Sequence, residues 1–496
     1  MDVDVESKLL QAADRFDGLV VALCAAQQLL MVAGYAMVQA GVVQPKNVTS
    51  GLVKSLLDTT LTILAWWLVG YAFAFGSTAG GFIGKDRGNF ALHDVLPGTQ
   101  GWDRFFWTCG ATAVSNTIFA RGAYSERASL IPSLFFTLIS TCLIYPVLVH
   151  WTWGQGWLSA WGAYPDSNGD FRPIFSGSLD SNGLIDGSGA GVVHLAGGCM
   201  ALMGTIIIGP RNGRFILGVR SDEVEYGNKT LQYLGLLLVW VATFGVYLGP
   251  VILTSSTNLA GKVVINISVS AAGGCLTCSL LCGFLEHSLD VTVVLNGILA
   301  GLVAVAGNCA VVLPWHAFCT GLTGGFFFYG GRLLLWYLQV DDPCDAISVH
   351  GFTGIWAMWA VGVFCTDDNV AAAGYMNSSK ACERGEQFAV QIVASLAIAS
   401  WTCGVSGFVL GGMRLCRLDL RVSEELEEQG LDLLFGAPSA LAVDDADKET
   451  SNKPDMPNYN NYNPGLHNST HPLHTQAHIP PTWHHQSLEP DLPPIP

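Results

Sequence analysis

The stretches GVVHLAGG, residues Gly191–Gly198, and SVHGFTG, residues Ser348–Gly354, decide how this chain folds. Each contains a Val-His step followed closely by glycine, and each lies in a long apolar run. Ionisable side chains are expensive inside a membrane helix, at about 2.5–3.5 kcal/mol for Asp, Lys or Arg, so they mark candidate functional positions. His194 and His350 are therefore the first candidate site residues. The alternative is two unrelated buried histidines, each bonded to a backbone carbonyl.

The apolar runs predict an all-α polytopic membrane protein with eleven transmembrane helices. Half of the 496 residues are hydrophobic and only 12% are charged, against about 25% in a soluble domain. A helix needs roughly 20 apolar residues to cross a ~30 Å hydrocarbon core, and continuous runs favour helices over a barrel. The predicted spans are 18–43, 52–76, 104–121, 128–149, 188–208, 231–253, 262–285, 291–309, 312–337, 347–365 and 387–412.

The two histidines lie five predicted spans apart, which predicts an inverted repeat. A five-helix unit that is repeated once reverses its orientation in the membrane, and inverted repeats place matching positions at a shared midplane site. The sequence therefore predicts two inverted five-helix repeats plus one extra helix, with the two imidazoles meeting at the midplane. Paired neutral imidazoles suit a small proton-labile substrate, because they offer too few oxygens to replace the hydration shell of K⁺ or Na⁺.

Charged residues predict the orientation of the spans and the borders of the flanking segments. Loops after odd-numbered spans carry more Lys and Arg, so the positive-inside rule places the N-terminus outside and the C-terminus in the cytoplasm. We expect an extracellular N-terminus at 1–17, a transmembrane domain at 18–412, a cytosolic segment at 413–436 and a disordered cytosolic tail at 437–496. The net charge of −16 disfavours nucleic acid as a partner.

The predicted outer loop 366–386 contains two candidate modifications. Asn377 begins an Asn-Ser-Ser sequon and could carry a glycan. Cys365 and Cys382 flank the loop, and a disulfide between them is as well supported as two free thiols. The 14 Cys do not form a paired Cys-x-x-Cys framework, so the sequence predicts neither a metal site nor a cofactor.

Three further features lie close to the two histidines in the sequence. Asp186 lies eight residues before His194, where a carboxylate can cap the following helix and add negative potential. Trp153 ends the run His-Trp-Thr-Trp, where an aromatic ring is either an interface anchor or a cation–π wall for a small cation. The run Asp341-Asp-Pro-Cys-Asp345 is predicted to form a turn and a cap before the helix of His350.

Taken together, these segments resemble the ammonium transporter (Amt/Mep/Rh) family, in particular its Amt branch in plants and bacteria. The matching residues run from about 18 to 436 and comprise Gln39-Ala-Gly41, Lys46-Asn47, Ser125-Glu-Arg127, His150-Trp-Thr-Trp153, Asp186 to His194, Gly209-Pro-Arg-Asn-Gly213, Asn296-Gly297 and Asp341-Asp-Pro343 through His350-Gly351. The resemblance implies an eleven-helix subunit with one pore, assembled as a homotrimer in the plasma membrane. It also implies that His194 and His350 are pore histidines, and that Asp186 and Trp153 belong to an outer binding site.

The sequence departs from the family pattern at the gate above the pore. Thr112 and Val246 stand where the family has two gating Phe rings, and Tyr247 and Pro250 replace an Asn and a Ser. Both rings are thus predicted to be missing while both histidines remain. Leu434, in the run Gly-Leu-Asp-Leu-Leu, stands where plant members have a phosphorylated Thr, so that switch is predicted to be absent.

These features predict one of two functions. The first is a transporter or channel that binds ammonium outside, removes its proton and conducts ammonia past the two histidines. The second is an ammonium receptor of the same fold with little conduction, which signals to a cytosolic partner through its C-terminal region, and the missing rings favour it. No enzyme is predicted, because the Ser and Cys residues have no paired base.

Overall fold

The computed structural model describes residues 3–96, 100–119, 123–160, 164–165, 171–172, 183–216, 219–220, 227–254, 259–375 and 381–436. The sequon at Asn377 and the predicted tail at 437–496 lie outside the described residues.

Helices dominate the described chain. The α-helices are Val3–Val42, Val48–Ala65, Tyr71–Phe75, Gln100–Ala113, Leu130–Ile139, Tyr145–Thr152, Ala196–Ile208, Lys229–Thr254, Ala260–Leu281, Val291–Ala304, Pro314–Tyr337, Thr353–Phe364, Asp367–Ala372, Ala381–Arg384, Glu386–Leu415 and Glu424–Gln429. Short 3₁₀ turns occur at Pro45–Asn47, Arg87–Leu92 and Leu431–Phe435. Three two-stranded antiparallel hairpins pair Thr78–Ala79 with Ile83–Gly84, Tyr164–Pro165 with Phe171–Arg172, and Phe215–Ile216 with Val219–Arg220.

Eight helical segments of the described chain are long and apolar enough to cross a membrane. They are Arg15–Val42, Pro45–Phe75, Leu130–Thr152, Ala190–Ile208, Lys229–Leu253, Ala260–Glu286, Ile347–Phe364 and Glu386–Leu415. Helices also occupy most of the described residues of the other three predicted spans, but they are shorter or less apolar; Val291–Ala304, for example, has 14 residues. The count of eleven spans therefore stays a prediction. The helix Val3–Val42 runs through the border predicted at residue 17, and that border stays a prediction.

Wide π-helical turns interrupt several of these helices, at Trp66–Gly70, Val114–Phe119, Ser140–Ile144, Ala190–Leu195, Cys282–Glu286 and Ile347–Phe352. His194 lies in one of them and His350 lies in another. Such turns insert one extra residue into a helix and are frequent at functional sites, because they redirect the side chains they carry. Both candidate histidines are thus presented from a local break in regular helix.

The helices of His194 and His350 cross with almost no side chain between their backbones. A Cβ atom added to Gly198 would lie 2.3 Å from the backbone nitrogen of Gly351, and one added to Gly354 would lie 2.9 Å from that of Leu195. No other residue fits such an approach without moving a backbone, and small residues at crossings are typical of membrane helices. The stretches that contain the histidines therefore also set how closely their helices meet.

The chain after the last spanning helix returns to the helical body. A short helix forms at Glu424–Gln429. Beyond it, the carboxylate of Asp432 accepts hydrogen bonds from the backbone N–H groups of Thr49 at 3.0 Å and Ser50 at 2.6 Å. These groups open the helix Val48–Ala65, where free N–H groups and the helix dipole both favour a carboxylate.

The crossing makes a first testable prediction. Gly198→Ala should lower the free energy of unfolding by about 1–3 kcal/mol, because the added methyl group forces two backbones apart. Gly411→Ala is the matched control: that glycine also lies inside a helix, but an added Cβ would meet nothing within 4 Å. The control should be neutral or stabilising by up to about 1 kcal/mol. Equal thermal unfolding midpoints for the two purified variants would contradict the close crossing.

Candidate functional site

The structure brings His194 and His350 together in the protein interior. Their Nδ1 atoms lie 3.1 Å apart, within hydrogen-bond distance. The rings are nearly parallel, at 9°, with centroids 5.2 Å apart, and each residue is only 3% exposed. The edge of Tyr35 packs against His350 with a centroid distance of 5.5 Å. We call His194 and His350 the imidazole pair.

Tyr247 is a contact of the imidazole pair that the sequence analysis missed. Its hydroxyl oxygen lies 3.1 Å from Nε2 of His194 and 2.9 Å from the backbone oxygen of Leu302. Its own backbone oxygen accepts a hydrogen bond from the hydroxyl of Ser188 at 3.1 Å. The sequence contained one signal for this contact: a buried tyrosine in an apolar span needs a hydrogen-bond partner for its hydroxyl.

Asp186 caps the helix that contains His194. One carboxylate oxygen accepts from the N–H of Gly189 at 3.1 Å, and the other accepts from Gly191 at 3.0 Å and Val192 at 3.1 Å. The backbone oxygen of Asp186 accepts from the indole N–H of Trp153 at 2.7 Å. The predicted cap and the predicted aromatic wall are therefore neighbours in the fold.

A cavity of about 400 Å³ opens beside these two residues, and we call it the Trp153 cavity. Trp107 and Trp153 line it with ring centroids 5.0 Å apart, and Asp186 lies in its wall. The sequence analysis missed Trp107, because an aromatic ring in an apolar span is normally a packing residue. Thr112 and Val246 do not line the cavity; both are buried, and Thr112 bonds back to its own helix.

Several family motif pieces meet in a second place, which we call the Arg211 cluster: Glu126, Arg127, Arg211 and Asp341. Arg211 donates to both carboxylate oxygens of Asp341 at 2.8 Å and also donates to Glu126. Arg127 is fully buried and donates to the backbone oxygens of Gly209 at 2.6 Å and Asp341 at 2.8 Å. Burial alone would raise the pKa of Asp341, but the Arg211 guanidinium holds it well below its usual range.

Asp342, next to this cluster, caps the helix of His350. One of its carboxylate oxygens accepts from the N–H of Ile347 at 2.6 Å. The other is a buried oxygen with no hydrogen-bond partner among the described residues. Burial, followed by the nearby charge of Asp345, raises the pKa of Asp342 to about 7. The two aspartates of the predicted turn therefore have different roles: Asp342 caps the helix, and Asp341 binds the arginines.

Cys365 and Cys382 form a disulfide in the structure, with their Cα atoms 5.7 Å apart. Within the described ranges, no group of three or more His, Cys, Asp or Glu side chains is placed to hold a metal ion.

The apolar helices and their buried imidazole pair define a multi-pass membrane protein. A family model described as Ammonium Transporter Family matches residues 19–437, and the chain belongs to this family. It is 30% identical over 437 residues to ammonium transporter 1 member 2 of Arabidopsis thaliana, covering 84% of this chain and 81% of that protein. It is also 30% identical over 417 residues to ammonium transporter Amt2 of Archaeoglobus fulgidus, covering 83% and 85%.

Solved structures share the fold. One, described as a sensor Amt protein, superposes with a TM-score of 0.74 at 29% identity, covering 86% of this chain and all of that chain. Mep2 of Saccharomyces cerevisiae superposes with a TM-score of 0.70, covering 82% of this chain and 90% of Mep2. At 23% identity, the second likeness shows the fold alone.

The raised pKa of Asp342 predicts a pH dependence. Its folded value of about 7 lies above its ordinary value of 3.8, so the folded state keeps a proton that the unfolded state releases. Stability should therefore fall as the pH rises through this window. Asp342→Asn keeps the cap acceptor and removes the titration, so its unfolding midpoint should exceed that of the wild type at about pH 8 and match it at about pH 4.

The control for this experiment is Asp419→Asn, which changes an exposed carboxylate after the last spanning helix. It should leave the pH profile as in the wild type. A profile for Asp342→Asn that parallels the wild type at every pH would contradict the assigned role of Asp342.

Proposed function

We propose that this protein is an ammonium transporter or channel of the plasma membrane. The observation that carries the proposal is the buried contact between His194 and His350 in a member of the ammonium transporter family. Two neutral imidazoles in apolar surroundings can be passed by neutral ammonia at far lower cost than by an ion. Sodium and potassium have no proton to leave behind, so the same path excludes them.

Ammonium is recruited in the Trp153 cavity, which in this proposal faces the outside. The faces of Trp107 and Trp153 attract a cation through the ring quadrupole, and the carboxylate of Asp186 adds negative potential. One N–H bond of ammonium then breaks, and its proton passes to water in the cavity. Neutral ammonia crosses beside the imidazole pair and takes up a proton from water on the cytoplasmic side.

The same proposal includes eleven spans in two inverted five-helix repeats, one extra helix, an outside N-terminus, a cytoplasmic C-terminus and a homotrimer. The symmetry of the site supports the repeat. Asp186 and Asp342 each lie eight residues before a histidine, and each caps the helix that contains it. Both histidines lie on π-helical turns, one from each half.

An ammonium receptor of the same fold is the second candidate, and three observations favour it. Thr112 and Val246 lack the gating rings of the family, and Tyr247 occupies a nitrogen of His194. A structural neighbour at 29% identity is described as a sensor Amt protein. In a receptor, the segment anchored by Asp432 to the helix Val48–Ala65 would present the signal to a cytosolic partner.

The internal pH of proteoliposomes tests the proposal and separates the two candidates. Outside ammonium should make the interior alkaline faster than in protein-free liposomes, because ammonia that crosses takes up a proton from the internal water. Potassium or sodium in place of ammonium should give no such change. An ammonium response of correctly inserted protein no faster than that of protein-free liposomes would contradict transport. Saturable ammonium binding in that case favours the receptor, and the absence of both would contradict ammonium recognition.

A further inference from the structure

The protons of the imidazole pair can be assigned from Tyr247. Its hydroxyl has one proton and two neighbours, the backbone oxygen of Leu302 at 2.9 Å and Nε2 of His194 at 3.1 Å. A carbonyl oxygen can only accept, so the hydroxyl donates to Leu302. Its oxygen must then accept, and the donor is an N–H at Nε2 of His194.

The assignment extends from His194 to His350. A neutral imidazole has one donor and one acceptor nitrogen, and an ionised ring is strongly disfavoured at this depth in an apolar interior. With its proton on Nε2, neutral His194 has no proton on Nδ1, so this nitrogen can only accept a hydrogen bond. The Nδ1 of His350, 3.1 Å away, must therefore be the donor, which leaves Nε2 of His350 as an acceptor.

We propose that Tyr247 is a positioning residue that holds the imidazole pair in one tautomeric pattern, with His194 protonated at Nε2 and His350 protonated at Nδ1. The resemblance to the Amt family places an asparagine at this position, so the hydrogen bond between His194 and a tyrosine hydroxyl is a departure of this chain from that pattern. Tyr247 is fully buried, and its backbone oxygen is also fixed by Ser188, so the hydroxyl has little freedom to leave.

The pattern has a consequence that rests on the proposed function. In this state Nε2 of His194 is a donor that is already bonded, so it cannot accept a proton from ammonium. A proton can enter the pair at His194 only after the hydroxyl of Tyr247 has moved away. Conduction or signalling that uses His194 as a base therefore requires the hydroxyl of Tyr247 to be displaced from Nε2 of His194.

Imidazole nitrogen NMR of full-length protein labelled with ¹⁵N-histidine tests the assignment. The signals of the pair are those lost in His194→Gln and in His350→Gln. In the wild type, His194 should be unprotonated at Nδ1 and His350 unprotonated at Nε2. This tautomer pattern should be about tenfold more populated than the reverse pattern, which corresponds to the free energy of one hydrogen bond. In Tyr247→Phe, which keeps the ring, that preference should be lost and both tautomers of His194 should appear.

A further variant is the control. Tyr145→Phe removes the hydroxyl of another buried tyrosine, which packs on Trp66, and should leave the pair unchanged. His194 protonated at Nδ1 in the wild type, or a pattern unchanged in Tyr247→Phe, would overturn the proposal. Because the NMR pattern needs no transport, a failure of the proposed function would be seen separately.

Discussion

The contact between the backbones at Gly198 and Gly351 is the constraint on which the site depends. An added Cβ at Gly198 would be only 2.3 Å from the neighbouring nitrogen, so the two helices meet without side chains between them. At that separation, imidazoles that emerge from π-helical turns reach one another at 3.1 Å. A wider crossing would leave two polar rings apart in an apolar interior, each needing another partner.

Buried charge provides the second constraint, because a membrane protein must pair every ion that it encloses. Arg211 binds Glu126 and Asp341, which come from distant parts of the chain. Lys54 donates to the backbone oxygen of Ala128 at 2.8 Å, and Asp432 caps the same helix from the C-terminal segment. The Asp432 contact ties the C-terminal segment to the helical body, and the Arg211 and Lys54 contacts join distant parts of the chain within that body.

Much of the fold could be predicted, because apolar length and ionisable exceptions are strong signals in membrane helices. Helices occupy most of the described residues in each of the eleven predicted stretches, and His194 and His350 stood out as ionisable residues within them. The π-helical turns could not be predicted, because an apolar run looks the same in sequence whether it forms a π-helical turn or a regular α-helical turn. Tyr247 and Trp107 were missed because their roles depend on partners from other helices. The ion pair of Asp341 was missed because Arg211 lies far from it in sequence.

A double-mutant cycle for unfolding free energy tests the central claim most directly, whichever function the protein has. His194→Leu, His350→Leu and the combined variant would be compared with the wild type in the same detergent. If the imidazoles are bonded partners, the separate effects will fail to add, with a coupling of about 0.5–3 kcal/mol. Effects that add to within about 0.5 kcal/mol would mean that the two rings act in separate places, and would contradict the account.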